Sequence, residues 1–153
     1  MAAEIGKRFV DFTLQNQDGK TVKLDDFAGR WLVLYVYPKD DTPGCTKEAC
    51  SFRDDFATFK RRGINVFGVS PDSEASHKKF AEKHKLPFTL LVDPDHAIAD
   101  AYGTYGQKKF MGRTYMGIHR TTFLIDEKLK IKKIFEKVKP EDHAREVLEA
   151  FEA

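Results

Sequence analysis

Apolar residues alternate with polar ones in some parts of the chain and form continuous runs in others, and both patterns predict β-strands. Residues 12–24 alternate around Asp18-Gly19, a pair that favours a tight turn, which predicts an N-terminal β-hairpin. The stretches WLVLYVY (31–37) and INVFGVS (64–70) are almost continuously apolar. Runs of this kind are typical of strands that are buried on both faces.

Segments with helical signals follow both runs. Phe52, Phe56 and Phe59 recur at helical spacing after the first run. After the second run, residues 71–73 (PDS) signal the start of a helix, and residues 74–85 predict a mostly polar surface helix. Because strands and helices alternate in this region, we expect an α/β fold that contains a parallel sheet.

The second half of the chain predicts shorter elements. Residues 88–93 predict a further strand, whereas residues 103–117 are rich in Gly and Lys and predict a loop. Residues 121–126 and 130–135 are typical of an antiparallel strand pair. Pro140 opens a last helix that has one apolar face.

Composition and charge narrow the class of protein. The 153 residues are 41% hydrophobic, which suffices for the core of one domain that spans residues 1–153. With 26 basic and 24 acidic residues and no run of five like charges, we expect neither a nucleic-acid surface nor a membrane surface. No apolar run is long enough to cross a bilayer and the first residues show no signal-peptide pattern, so we expect a cytoplasmic protein.

Both cysteines lie in the stretch YPKDDTPGCTKEAC, residues 37–50. In a reducing compartment, cysteines are usually free thiols, metal ligands or catalytic groups. Cys45 follows a loop that Pro38 and Pro43 stiffen, and it begins the next helix. A helix N-terminus stabilises an anion, so a thiol there is a better nucleophile, and Cys45 is the candidate nucleophile. The alternative is a buried, inert cysteine.

Cys50 lies five residues after Cys45 in the same predicted helix. Helix geometry puts the two Cα atoms about 8.7 Å apart. A disulfide needs Cα atoms about 4.4 to 6.8 Å apart, so a bridge would require the first helical turns to unwind and would be labile. Alternatively, Cys50 is a small core residue. A metal site is not expected, because the five His residues show no ligand spacing with the cysteines.

The pattern Pro38-x-x-x-Thr42-x-x-Cys45 is similar to the active-site motif of the peroxiredoxins. The longer stretch YPKDDTPGCTKEAC resembles their Q-type branch, also called bacterioferritin comigratory protein, and the resemblance extends over nearly the whole chain. It implies an α/β, thioredoxin-like fold with a central mixed sheet flanked by helices and an N-terminal β-hairpin. It also implies a thiol-dependent peroxidase of antioxidant defence that needs no cofactor or metal.

The resemblance implies roles for both cysteines. Cys45 would attack hydrogen peroxide or an organic hydroperoxide and become a sulfenic acid. Cys50 would resolve that acid as an intrachain disulfide, which thioredoxin or a similar dithiol protein would reduce. A resolving thiol in the same helix needs no second subunit, so a monomer is expected.

Four further residues match the family's site, and each also has an ordinary structural interpretation. Thr42 would hydrogen-bond the peroxide, although such a side chain also stabilises loops. Pro38 would shield the thiolate, a role compatible with ending a strand. Arg120, in HRTTFLID, would hold the peroxide and favour the thiolate, whereas an isolated arginine is usually a solvated surface charge. Glu48 would orient that arginine, but exposed helix glutamates are common.

Two other classes of protein use paired cysteines. A thiol-disulfide oxidoreductase of the thioredoxin type has a C-x-x-C motif and a cis-proline, whereas this chain has C-x4-C and GIHRTT without proline. A redox-responsive binding protein without turnover would need the cysteines but not Thr42 and Arg120. A slow reaction with peroxide would favour this last class.

Overall fold

The computed structural model describes residues 4–136 and 138–152, and this part of the chain contains nine β-strands and four α-helices. The strands are β1 (Thr13–Asn16), β2 (Thr21–Lys23), β3 (Trp31–Val36), β4 (Ile64–Ser70), β5 (Thr89–Val92), β6 (Tyr105–Phe110), β7 (Arg113–Ile118), β8 (Thr121–Ile125) and β9 (Ile131–Phe135). The helices are α1 (Pro43–Arg61), α2 (Glu74–His84), α3 (Ala97–Ala101) and α4 (His143–Glu152).

Seven strands form one mixed sheet in the order β2-β1-β5-β4-β3-β8-β9. β3, β4 and β5 are parallel, whereas β1, β2, β8 and β9 pair antiparallel with their neighbours. The fold class implied by the resemblance is therefore confirmed, and so is the N-terminal hairpin, in which Gln15 pairs with Thr21. The carboxyl ends of the parallel strands meet at one edge of the sheet, where ligand sites of α/β folds occur.

The two faces of the sheet carry separate apolar clusters. α1, α2 and α4 pack on one face, and the chain before β1 and α3 pack on the other. The prediction of a mostly polar surface helix at residues 74–85 holds for only one side of α2. Its other side buries His77 and Phe80.

The prediction of a loop at residues 103–117 is wrong, because the segment forms the two-stranded sheet β6-β7. Its turn residues Met111 and Gly112 have φ values of 51° and 76°, which is the left-handed geometry of a two-residue hairpin turn. The usual alternation of polar and apolar residues is absent, since Tyr115 and Met116 are both exposed neighbours. Backbone pairing joins the two strands along their length, and at their base Ile118 is buried and Tyr105 packs against the apolar cluster.

Within the described ranges, no helix is both long and apolar enough to cross a membrane.

Candidate active site

Cys45 lies beyond the carboxyl end of β3, where the sequence predicted it. β3 ends at Val36 and α1 begins at Pro43, so that Cys45 is the third residue of the helix. Its side chain is 1% exposed and packs in the apolar cluster beneath α1. The thiol is therefore screened from bulk water while it faces the N-terminal end of a helix dipole.

The first turn of α1 is not capped by a side chain. Thr42 occupies the N-cap position, but its hydroxyl donates to the Lys39 carbonyl at 2.9 Å instead of accepting from the helix. The first helical bond runs from Thr46 N–H to the Thr42 carbonyl at 2.8 Å. The N–H groups of Gly44 and Cys45 precede it and have no acceptor within the described ranges. They remain available to an anion or a polarised oxygen.

Arg120, just before β8, lies over this helix start. Its Nη1 donates to Glu48 Oε1 at 2.9 Å. A Cβ at Gly44 would lie 2.7 Å from Nη2, so glycine leaves room for the guanidinium against the first turn. Burial lowers the pKa of Arg120, but the charges of Cys45 and Glu48 outweigh it, and the pKa rises above its ordinary value. The structure thus brings Arg120, Glu48 and Cys45 together.

Glu48 is fully buried, unlike the exposed helix glutamate that was the alternative interpretation. Burial raises its pKa from the ordinary 4.5 to about 7, although Arg120 acts in the opposite direction. Its second oxygen, Oε2, has no hydrogen-bond partner in the described part of the chain. Burial, and next the charge of Glu48, also raise the pKa of Tyr35 well above its ordinary value. Ionised Glu48 is therefore costly to keep in this site.

The other two predicted residues lie on either side of this group. Pro38 is half-buried and follows β3 by two positions. Cys50 is half-buried within α1, and both thiols are free. Because α1 is continuous across residues 45–50, the two cysteines keep the helical separation that prevents a disulfide.

Comparisons with known proteins decide the family. The model of the AhpC/TSA family matches residues 5–134. The chain belongs to the AhpC/TSA family. The Bacillus subtilis protein named peroxiredoxin Bcp is 50% identical over 149 residues, covering 97% of this chain and 95% of that protein. The branch that the motif resembles is therefore confirmed, and the protein is a peroxiredoxin, a thiol peroxidase.

Solved structures agree with this assignment. A cysteine-to-serine mutant of the Xylella fastidiosa peroxiredoxin Q is 33% identical, with a TM-score of 0.93 and coverage of 99% of this chain and 97% of that chain. The Xanthomonas campestris bacterioferritin comigratory protein is 35% identical, with a TM-score of 0.89 and coverage of 97% and 98%. Its structures are described as trapped intermediate and ligand complexes that bear on alkyl peroxide reduction.

Lys108, on β6, lies close enough to Arg120 and Cys45 for their charges to shift its pKa, although the sequence did not point to it. Its side chain crosses Gly117, where a Cβ would lie 3.0 Å from Cδ, and its Nζ donates to the Ile118 carbonyl at 2.9 Å. Burial and the charge of Arg120 lower the pKa of Lys108, whereas Cys45 raises it. Lys108 and Arg120 line one cleft of about 450 Å³. A lysine in a segment without apolar alternation is expected to point into solvent, so the sequence gave no sign that Lys108 lies beside Arg120.

Proposed function

We propose that this peroxiredoxin reduces hydrogen peroxide and organic hydroperoxides through Cys45. The thiolate attacks the terminal oxygen, an S–O bond forms and the O–O bond breaks. The departing oxygen takes up a proton and leaves as water or an alcohol, while Cys45 becomes a sulfenic acid. The observation that carries this proposal is the buried Cys45 at an uncapped helix N-terminus beneath Arg120.

The surrounding groups fit the needs of that step. The negative charge that develops on the peroxide oxygens can be met by the N–H groups of Gly44 and Cys45 and by the Arg120 guanidinium. The hydroxyl of Thr42 has free lone pairs that can accept the peroxide hydrogen, since its own hydrogen points to the Lys39 carbonyl. Glu48 holds Arg120 through the 2.9 Å contact, and we assign Pro38 the role of limiting water access.

Cys50 then resolves the sulfenic acid in our proposal. Its thiolate attacks the sulfur of Cys45, an S–S bond forms as the S–O bond breaks, and the departing hydroxide takes up a proton and leaves as water. Thioredoxin or a similar dithiol protein supplies the two electrons that reduce the disulfide. The first turns of α1 must unwind for this step, because the helical separation of the two cysteines exceeds the disulfide range.

Contacts further along α1 limit how far the helix unwinds. The Ala144 N–H donates to Ser51 Oγ at 3.0 Å, which ties α1 to α4. Phe52 is fully buried and stacks on Tyr35 at 4.8 Å between ring centroids. Extracting such a ring costs several kcal/mol, about 3 to 5 for its complete loss, so unwinding between Gly44 and Cys50 is favoured over unwinding beyond Phe52.

An intrachain disulfide needs no second subunit, and we therefore propose a monomer. The reducing conditions that keep two unpaired thiols available are those of the cytoplasm, where we place the protein.

Rapid mixing of the reduced protein with one equivalent of hydrogen peroxide tests the proposal. We expect the fast loss of both thiols per chain, a mass loss of two hydrogens, and no covalent dimer. Amide hydrogen exchange of the product should show lost protection from Thr46 to Cys50 and retained protection in β3. Reaction no faster than that of an ordinary thiol would instead support a redox-responsive binding protein.

A further inference from the structure

Two adjacent aspartates, Asp40 and Asp41, lie in the loop between β3 and Cys45, in different environments. Asp40 is 6% exposed as a residue, whereas the side chain of Asp41 is 53% exposed. Neither carboxylate takes part in the chemistry proposed above. A buried carboxylate is expensive unless hydrogen bonds and charge satisfy it, so the partners of Asp40 reveal what holds this loop.

Asp40 is satisfied by three side chains. Tyr37 Oη donates to Oδ1 at 2.6 Å, and Ser76 Oγ donates to Oδ2 at 2.9 Å. His77 Nδ1 lies 2.6 Å from the same Oδ2. The backbone N–H of Asp40 in turn donates to Asp72 Oδ2 at 2.7 Å. Both the carboxylate and the backbone of Asp40 are therefore bound to the region where β4 ends and α2 begins.

His77 extends this network to the sheet. Its ring is fully buried, and Nε2 lies 2.7 Å from the Leu91 carbonyl on β5. A carbonyl only accepts, so Nε2 carries a hydrogen, and one proton lies between Nδ1 and Asp40 Oδ2. Although Asp40, Asp72 and His77 offer ligand atoms within 4.8 Å of one another, both ring nitrogens are already engaged. The cluster is a hydrogen-bonded buried pair rather than a metal site.

Asp41 shapes the loop but holds it weakly. Its φ of 57° is left-handed, which aspartate tolerates better than most residues. Its carboxylate meets Lys83 Nζ at 3.0 Å, and this pair is more than half exposed on both sides. Such surface pairs contribute little to stability. The adjacent residue thus offers a matched control for Asp40.

We propose that Asp40 and His77 are a positioning pair for the reaction of Cys45 with peroxide, an inference that rests on the proposed function. Asp40 precedes Thr42 by two residues, and its partners lie directly after β3, directly before α2 and on α2, all outside the segment that unwinds. The pair keeps the Thr42 hydroxyl in place beside the N–H groups of Gly44 and Cys45 during the attack on peroxide, before the helix unwinds.

The neighbouring substitutions Asp40→Asn and Asp41→Asn test this assignment. Each removes one negative charge from the same loop, and asparagine tolerates the left-handed backbone of residue 41. For folded protein, we expect the second-order rate with hydrogen peroxide to fall roughly 10- to 100-fold in Asp40→Asn and by less than about threefold in Asp41→Asn. Alkylation of Cys45 by iodoacetamide, which does not need a placed Thr42, should change much less than the peroxide rate.

Two variants of His77 provide a rescue test. An asparagine amide nitrogen can occupy the place of Nδ1 and donate to Asp40, whereas leucine cannot. His77→Asn should therefore keep more of the peroxide rate than His77→Leu. Equal rates for these two folded variants, or equal rates for Asp40→Asn and Asp41→Asn, would overturn the assignment and leave the pair a purely structural contact.

Hydrogen exchange separates this inference from the proposed function. The amides of residues 40 and 46, which donate to Asp72 and to the Thr42 carbonyl, should lose protection in Asp40→Asn and keep it in Asp41→Asn, whether or not the protein reduces peroxide. Unchanged protection in Asp40→Asn contradicts the positioning role. Failure of the wild-type protein to react with peroxide contradicts the proposed function, and the exchange data still decide whether the pair holds the loop.

Discussion

The chain before Cys45 and the chain after it are held in opposite ways. Residues 37–42 are anchored by Asp40, whose carboxylate has three side-chain partners in a buried network. Residues 44–50 contain Glu48, which is equally buried but has one partner, Arg120, and one oxygen without any in the described structure. A satisfied buried charge resists movement, whereas an under-satisfied one adds little resistance.

This difference matches what the proposed two-cysteine cycle would demand of the two segments. The first must present Thr42 to the peroxide unchanged in every turnover. The second must let Cys50 reach Cys45, and the loss of the Glu48 contact costs less because ionised Glu48 is destabilised by burial. We therefore expect the start of α1 to open more easily than the length of the helix indicates.

The largest expected effect comes from Cys50→Ser, which removes the thiol that residues 44–50 must bring to Cys45. This variant should reduce one peroxide per chain but lose turnover with a dithiol-protein reductant. Excess peroxide should then convert Cys45 to the sulfinic acid, visible as added oxygen in the intact mass. Sustained thioredoxin-linked turnover would show that the reductant attacks the sulfenic acid directly and that the helix need not open.

Next in size is the replacement Arg120→Lys, which keeps the charge above the helix start but loses the planar array of donors. We expect the second-order rate with hydrogen peroxide to fall about 10²-fold. Arg113→Lys, on the exposed side of β7, is the matched control and should react as the wild type does. A near wild-type rate in Arg120→Lys would mean that charge alone suffices.

Gly44→Ala probes the same contact without touching Arg120. The added Cβ would lie 2.7 Å from Nη2, so the guanidinium must shift. Alanine suits this helical backbone position better than glycine, so we expect stability to hold or rise while the peroxide rate falls about tenfold. A rate equal to that of the wild type would show that the guanidinium can relocate without loss.

The pH dependence of stability in Glu48→Gln tests whether burial destabilises the ionised form of Glu48. The pKa of Glu48 is about 7 in the folded protein, above its ordinary 4.5, so the folded state holds a proton that the unfolded state releases. The proton bound to Glu48 contributes its full stabilisation to the folded state below about pH 4.5. That contribution is lost as the pH rises to about 7, because the unfolded state then gains stability by releasing the proton. Relative to Glu48→Gln, the wild-type free energy of unfolding should fall by roughly 3 kcal/mol across that window. A pH-independent difference would show that Arg120 keeps Glu48 ionised.

The smallest effect is expected for Lys108→Met. Lys108 is only half-buried, so water and salt screen its attraction for the Cys45 thiolate. The peroxide rate should fall about threefold at low ionic strength, and the difference should shrink as salt is added. Lys109→Met, the exposed neighbour, is the control. Equal effects of the two substitutions would assign the change to overall charge.

Local signals explain which parts of the fold the sequence predicted correctly. Continuous apolar runs marked β3 and β4, and the Asp18-Gly19 pair marked the first hairpin, because these elements bury their side chains or need a particular turn. The β6-β7 hairpin was missed because its sequence does not alternate between polar and apolar residues, and the first four residues of β7, 113–116, are all exposed. Hydrophobic periodicity indicates a strand only where one of its faces is buried. Backbone hydrogen bonds, which pair β6 with β7, leave no such pattern in the sequence.

The same limit applies to the candidate site. The stretch around Cys45 indicated the nucleophile, its position at a helix start and, through the family motif, Thr42. The separate segment HRTTFLID indicated Arg120 through the family resemblance. The stretch around Cys45 carried no sign that Glu48 is buried, because a glutamate between polar and small neighbours has the same sequence pattern whether it faces solvent or the core. Nor could it associate Asp40 with His77, which lies 37 positions away.

By itself, the sequence determined the order of strands and helices outside the β6-β7 hairpin, the placement of Cys45 beyond the end of β3, and a spacing to Cys50 that a regular helix cannot bridge. Only the tertiary structure decided which charges are buried and whether they are satisfied. Burial and hydrogen bonding depend on groups that are distant in the chain, such as Arg120 for Glu48 and His77 for Asp40. For that reason the contrast between the anchored and the movable side of Cys45 exists only in the folded molecule.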